Sequence, residues 1–117
     1  MKTPGKATLL RVFIGDSDRW DGEPLGEAIV RRARELHMAG ATMLRGQMGF
    51  GAHSRLHTAK ILRLSEDLPV VVEIVDTREN IDRLLPELDA MVVEGLITLE
   101  EVDVIRYRAD GAKDALP

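Results

Sequence analysis

The chain has no cysteine, which excludes disulfides and thiolate metal sites and fits a cytoplasmic setting. Aromatic residues make up only 3% of it, so it lacks the stacking platforms of proteins that read single-stranded RNA. Positive charge is short as well. Sixteen Lys and Arg against 20 Asp and Glu leave a net charge of −4, which argues against nucleic acid as a partner. No apolar run approaches the ~20 residues of a membrane span, so membrane insertion is not expected. The opening Lys2-Thr3-Pro4-Gly5-Lys6 does not read as a signal peptide. There is no internal repeat and no low-complexity tract. Ser17, Ser54 and Ser65 have no partner set that would make a nucleophile, so catalysis is not expected.

What is present is an ordinary balance for one globular domain over residues 1–117, 44% hydrophobic and 31% charged. Its information lies in the order of two hydrophobic periods. Ala7–Gly15 alternates, with Leu10, Val12 and Ile14 on one face and Leu9, Arg11 and Phe13 on the other. A polar loop, Gly15–Gly22, leads to Pro24 in a first helical turn, with Asp21 or Gly22 near the cap. Leu25, Ala28, Ile29, Ala33 and Leu36 form a helical stripe that Gly40 closes in a left-handed conformation. Strand two runs from Ala41 to about Met48. Strand three is Val70–Val75, β-branched except for Glu73, with Pro69 at its first position.

Ile81, Leu84, Leu85, Leu88, Met91 and Val92 make the second helix, capped by Thr77 or Asp76 and closed by Gly95. Pro86 inside that stripe should kink or split it. Strand four spans Ile97–Arg108, with a bulge expected at Glu100-Glu101 where the alternation changes phase. The order β-α-β-β-α-β predicts an α+β, ferredoxin-like split-βαβ fold: a four-stranded antiparallel sheet with two helices on one face. The core is about 7–108, and 109–117 reads as a flexible tail.

Two helices cover one face of such a sheet. Leu9, Phe13, Val71 and Val75 fall on the other, where one wet face would carry polar residues. Burying each would contribute roughly 1.5–3 kcal/mol, and exposed apolar patches of this kind are rare in monomers. An oligomer interface is therefore expected there. The second anomaly is a loop over about 49–68 between strands that a short turn would join, a length usually reserved for function. Glu73 among valines needs an arginine partner, with Arg11, Arg45 and Arg63 available. Trp20 reads as an edge-packing anchor. Asp16, Asp18 and Asp21 lack the glycine and terminal glutamate of a calcium loop.

Arg106 and Arg108, two apart on a strand, would project from one face about 6.5–7 Å apart. Such forks suit phosphate or carboxylate recognition, and equally a solvated strand end or ion pairs to a neighbouring subunit. The segment Arg45-Gly46-x-x-Gly49-x-Gly51, with Phe50 between glycines, offers backbone N–H groups to an anion or serves as a plain hinge. His53 and His57 share a face if helical, a pair that suits zinc or copper only with a third ligand such as His37.

Phe13-Ile14-Gly15, Pro24-Leu25, Glu27-Ala28-Ile29-Val30, Ala39-Gly40-Ala41-Thr42, Arg45-Gly46, Gly49-Phe50-Gly51 and the run from Leu62 to Asp76 resemble domain of unknown function family 190. The likeness extends from about Leu9 to Arg108. That family is classed as PII-like, so the resemblance implies ferredoxin-like subunits assembled as a homotrimer. It also implies a bulkier residue where this chain has Gly26, and hence altered outer packing of the first helix. PII-type signalling proteins bind adenine nucleotides between subunits and present a long loop to a partner protein. By that resemblance Arg106 and Arg108 would contact a small anionic ligand such as an adenine nucleotide, and the glycine pattern would bring Arg45, Gly46, Gly49, Phe50 and Gly51 to the same cleft. The 49–68 loop would engage a membrane transporter or a metabolic enzyme. One departure is plain: the Gly-Asp-Gly-Lys phosphate turn of PII proteins is replaced by Gly95 leading straight into Leu96-Ile97-Thr98. Metal-tolerance proteins share this architecture, so a metal-responsive trimer stands as an alternative, as does a ligand-free interaction module.

Overall fold

The computed structural model of the chain describes residues 5–51, 57–58 and 67–109. Strand β1 (Gly5–Gly15) runs down the middle of a four-stranded antiparallel sheet. It pairs with β7 (Pro69–Asp76) on one side and β8 (Leu96–Val104) on the other, and β4 (Thr42–Arg45) completes the sheet outside β7. The order β4-β7-β1-β8 is that of the expected ferredoxin-like fold. Helices α1 (Leu25–Glu35) and α2 (Arg78–Met91) lie on one face. Neither is long and apolar enough to cross a membrane.

The alternation in β1 and β7 decides which face is core. Leu10, Val12, Ile14, Val70, Val72 and Ile74 are buried against Leu25, Ala28, Ile29, Ile81, Leu84 and Leu88 of the helices. Gly26 belongs to this inner packing. A Cβ there would stand 2.7 Å from Met43 Sδ and 3.2 Å from a Val70 methyl, so its small size brings α1 close to β4 and β7. The expectation of altered outer packing at Gly26 is corrected accordingly.

Several local expectations shift for identifiable reasons. The 16–22 loop contains a hairpin, β2 (Arg19–Trp20) with β3 (Glu23–Pro24), turning on Asp21 and Gly22 at φ of 50° and 81°. Positive φ at both central residues is the type I′ signature that an Asp-Gly pair favours. Helix α1 therefore starts without a side-chain cap from Asp21, and the Leu25 N–H donates instead to the Asp18 carbonyl at 2.8 Å. At its other end the left-handed residue is His37, at φ 61°, not Gly40. His37 and Met38 donate to the Arg34 and Ala33 carbonyls, a Schellman closure whose C″ residue, Met38, is buried beside Ala33.

Helix α2 is capped by the Thr77 hydroxyl, which accepts from the Asn80 N–H at 3.1 Å, and it runs unsplit through Pro86 to Met91. Strand β4 is shorter than expected. Met48–Gly49 forms a separate strand, β5, paired with β6 (His57–Thr58), so the long connection contains a small ribbon. Strand β8 shows no bulge: Thr8↔Glu101 and Leu9↔Glu100 pair in unbroken register. Its pattern changes phase because this end of the helix-side face meets solvent, where Lys6 bridges Asp103 at 2.7 Å. The strand ends at Val104, leaving Arg106 and Arg108 beyond the sheet.

The second face is open. Register sets Leu44, Val71, Phe13 and Leu96 in one row across all four strands. Three of these remain substantially exposed, Leu44 at 50%, Phe13 at 37% and Leu96 at 56%. The next row, Thr42, Glu73, Arg11 and Thr98, is polar. There the Arg11 guanidinium donates to Glu73 at 2.9 Å and lies 3.5 Å from Glu100. Of the three arginines available to Glu73, Arg11 holds it.

Candidate functional site

The first group of candidate residues begins where β4 ends. Arg45 pairs with Val70 in the sheet, and its guanidinium clasps Asp16 at 2.7 Å. Asp16 is itself placed by its N–H, which donates to the Leu68 carbonyl. Alongside, the Ser17 N–H donates to Asp67 Oδ1 at 3.0 Å and the Gly15 N–H to Asp18 Oδ2 at 2.9 Å. These aspartates tie the 15–18 turn to β4 and to the segment that leads into β7.

Gly46 donates its N–H to the Pro69 carbonyl at 2.7 Å, so that donor is occupied within the chain. A Cβ on Gly46 or Gly49 would come within 2.8 or 2.9 Å of Pro69 Cγ. Both positions are thus required by close approach to the proline ring. Beyond this rigid base, Phe50 is 68% exposed, and Gly51 borders open space. The remainder of the expected 49–68 loop lies mainly outside the described residues, as does the tail from 110 onward.

The second group follows β8. Arg106 and Arg108 are exposed on either side of half-buried Tyr107, whose hydroxyl donates to the Ala39 carbonyl at 2.8 Å. Ala39 in turn donates its N–H to Asp76 Oδ2 at 2.8 Å. Asp76 is fully buried, and its other oxygen accepts from the Thr77 N–H and from Asn80 Nδ2. Burial pushes this carboxyl up, but the hydrogen bonds from Asn80, Ala39 and Thr77 outweigh it and hold it below the usual range. Tyr107 is not among the candidate residues that the sequence singles out. The signal available was an apolar-bodied residue flanked by two arginines.

The structure does not bring the two groups together within one chain. Arg45 pairs with Val70 near the start of β7, whereas Tyr107 reaches, through Ala39, to Asp76 at the end of β7. Six residues of strand put these points about 20 Å apart.

Two grooves flank α1. One of about 240 Å³ lies between Trp20 and the two helices, where Arg32 donates to Glu87 through Nε at 2.5 Å and Nη2 at 2.8 Å. That hydrogen-bonded pair raises the Arg32 guanidinium and lowers the Glu87 carboxyl. Trp20 lines this groove but is 39% exposed and stands outside the core cluster, so it does not act as the packing anchor expected of it. The other groove, about 370 Å³, is bordered by Glu27, Val30, Arg31, Arg34 and Met43. His57 stands in strand β6, and His53, its proposed partner in a metal-binding pair, lies outside the described residues. No cluster of three or more metal-ligating side chains occurs among the described residues.

A model of domain of unknown function family 190, described as an uncharacterized ACR, matches residues 7–104. A UPF0166 protein of Aquifex aeolicus is 40% identical over 100 residues, spanning 86% of this chain and 94% of the relative. A UPF0166 protein of Methanocaldococcus jannaschii is 33% identical over 102 residues with the same coverage of each. Among solved structures, the chain is similar to CPII, a nitrogen regulatory PII-like protein from Thiomonas intermedia K12, bound to ADP, AMP and bicarbonate. The TM-score is 0.63 at 14% identity, covering 91% of this chain and 94% of that one. At that identity the likeness is one of fold.

Proposed function

This chain belongs to domain of unknown function family 190, and on that premise we propose that it is a trimeric PII-like regulator binding an adenine nucleotide between its subunits. The observation that carries this reading is the separation of the two candidate groups by the length of a sheet whose open face bears an apolar row. A ligand touching both groups needs two copies: one supplies Arg45, Gly49, Phe50 and Gly51, the other Arg106 and Arg108. The same apolar row gives those copies a reason to associate, since covering Phe13, Leu44 and Leu96 removes them from water. The binding of ADP and AMP by CPII supports an adenine nucleotide as the ligand.

In this reading the arginine pair neutralises phosphate charge and the glycine-rich segment lies against the ligand. The protein acts by binding, and its output is the conformation of the 49–68 loop, offered to a membrane transporter or a metabolic enzyme. A ligand shifts such a loop only through different affinities for its states. In this reading the phosphate contacts fall to the arginines, because no Gly-Asp-Gly-Lys turn precedes β8.

Calorimetric titration of the oligomer with ATP, ADP and AMP tests this, with its mass fixed by light scattering. One nucleotide per subunit is expected. Replacing Arg106→Ala together with Arg108→Ala should abolish binding and leave the mass at three chains. Binding that survives the double replacement, or no heat from any nucleotide, overturns the proposal.

A further inference from the structure

Among the described residues, the guanidinium groups of Arg19, Arg34, Arg106 and Arg108 hold no ion pair or hydrogen bond, whereas the other arginines each engage an oxygen of the chain. In a chain of net charge −4, two such groups on either side of one anchored residue make a distinct arrangement. The segment that carries them lies past Gly5↔Val104, the last pair of the β1–β8 ladder, so no sheet pairing fixes its backbone. What ties it down is side-chain chemistry. The Tyr107 hydroxyl donates to the Ala39 carbonyl at 2.8 Å, and Ala39 is fixed by its own N–H on buried Asp76. Asp76 closes the end of β7 and, through the Thr77 N–H and Asn80, the start of α2. The anchor point therefore belongs to the rigid part of the fold.

We propose that Tyr107 is a positioning residue for anion binding: through Ala39 and Asp76 it holds Arg106 and Arg108 in place before the ligand arrives. This rests on the reading that those arginines contact the nucleotide phosphates. A segment ordered in advance loses less freedom when it binds, and the saving appears as affinity. The loss of one neutral hydrogen bond corresponds to a weakening of roughly 3- to 10-fold.

The test uses the intact oligomer with ATP as the probe. Tyr107→Phe removes the hydroxyl and keeps the ring, and a ~3- to 10-fold weaker Kd is expected with the oligomer mass unchanged. The chain has one tyrosine, so a ¹³Cζ-tyrosine label gives one resonance that reports on this hydroxyl. In the native protein that resonance should move on saturation with ATP and stay fixed in the Arg106→Ala, Arg108→Ala variant. A tyrosine that only braced the fold would change neither Kd nor its response to ATP. Undiminished affinity in Tyr107→Phe, with binding still lost in the double arginine variant, overturns the positioning role alone. Absence of ATP binding by the native protein overturns the nucleotide reading and this role with it.

Discussion

The Asp76 carboxylate accepts a hydrogen bond from the Ala39 N–H at 2.8 Å, joining the end of β7 to the connection between α1 and β4 across 37 residues of sequence. With the Thr77 N–H and Asn80 Nδ2 on its other oxygen, this fully buried group organises three chain segments at one end of the sheet.

Asp76→Asn should therefore destabilise the fold. The amide can accept on one side only, and its NH2 group would face a donor, either Ala39 or the Thr77–Asn80 pair. A loss of roughly 1–3 kcal/mol is expected for a buried donor left without its acceptor. Urea denaturation would measure it. A midpoint equal to that of the native protein would show that the network relaxes without cost.

The same network sets a pH dependence. Burial raises the Asp76 carboxyl, the hydrogen bonds from Asn80, Ala39 and Thr77 together outweigh it, and its folded value lies below the unfolded one. Glu87 is lowered likewise by its hydrogen bond and charge interaction with Arg32. For depressed carboxyls the added stability is fully present above the unfolded value and is lost as pH falls through the folded value. The melting temperature should hold on descent from pH 7 and drop below about pH 4. In Asp76→Asn the drop should be shallower; an identical slope would assign the acid sensitivity elsewhere.

Gly95 enters β8 at φ 157°, and a Cβ there would stand 2.7 Å from the Phe13 carbonyl oxygen, a backbone atom that cannot swing away. Gly95→Ala should cost roughly 1–3 kcal/mol. Gly40, which borders open space, is the control, and Gly40→Ala should leave stability unchanged or raise it slightly. Equal melting temperatures for the two variants would contradict the packing argument.

His37 occupies the left-handed position that closes α1, and its side chain is exposed. Glycine would relieve the Cβ strain of that conformation at some cost in chain entropy. His37→Gly is expected to raise stability by about 0.5–1 kcal/mol. A lower denaturation midpoint would show that the imidazole contributes more than its backbone conformation costs.

Phe13→Glu with Leu44→Glu places two carboxylates in the apolar row of the open sheet face. Light scattering should then report a folded single chain, with the far-ultraviolet circular dichroism of the native protein. A variant that keeps the native mass would move the subunit contact to another surface.

The sequence by itself determined the ferredoxin-like order of elements. Alternation in β1 and β7 and the helical stripes in α1 and α2 are local consequences of a two-sided sheet and a one-sided helix. It also determined which six strand residues face the helices, since Leu10, Val12, Ile14, Val70, Val72 and Ile74 are all buried. The family resemblance was legible for the same reason, carried by contiguous runs of residues. What only the tertiary structure decided concerns contacts between segments distant in sequence. Gly46 and Gly49 are small because Pro69 lies against them, and Gly26 because Met43 and Val70 do. The phase change in β8 marks the end of the helix layer, not a bulge, because periodicity records burial and burial depends on what lies above the strand. Arg45 and Arg106, read as one site, fall at opposite ends of the sheet, since strand direction and register are fixed by pairing partners that no single segment contains.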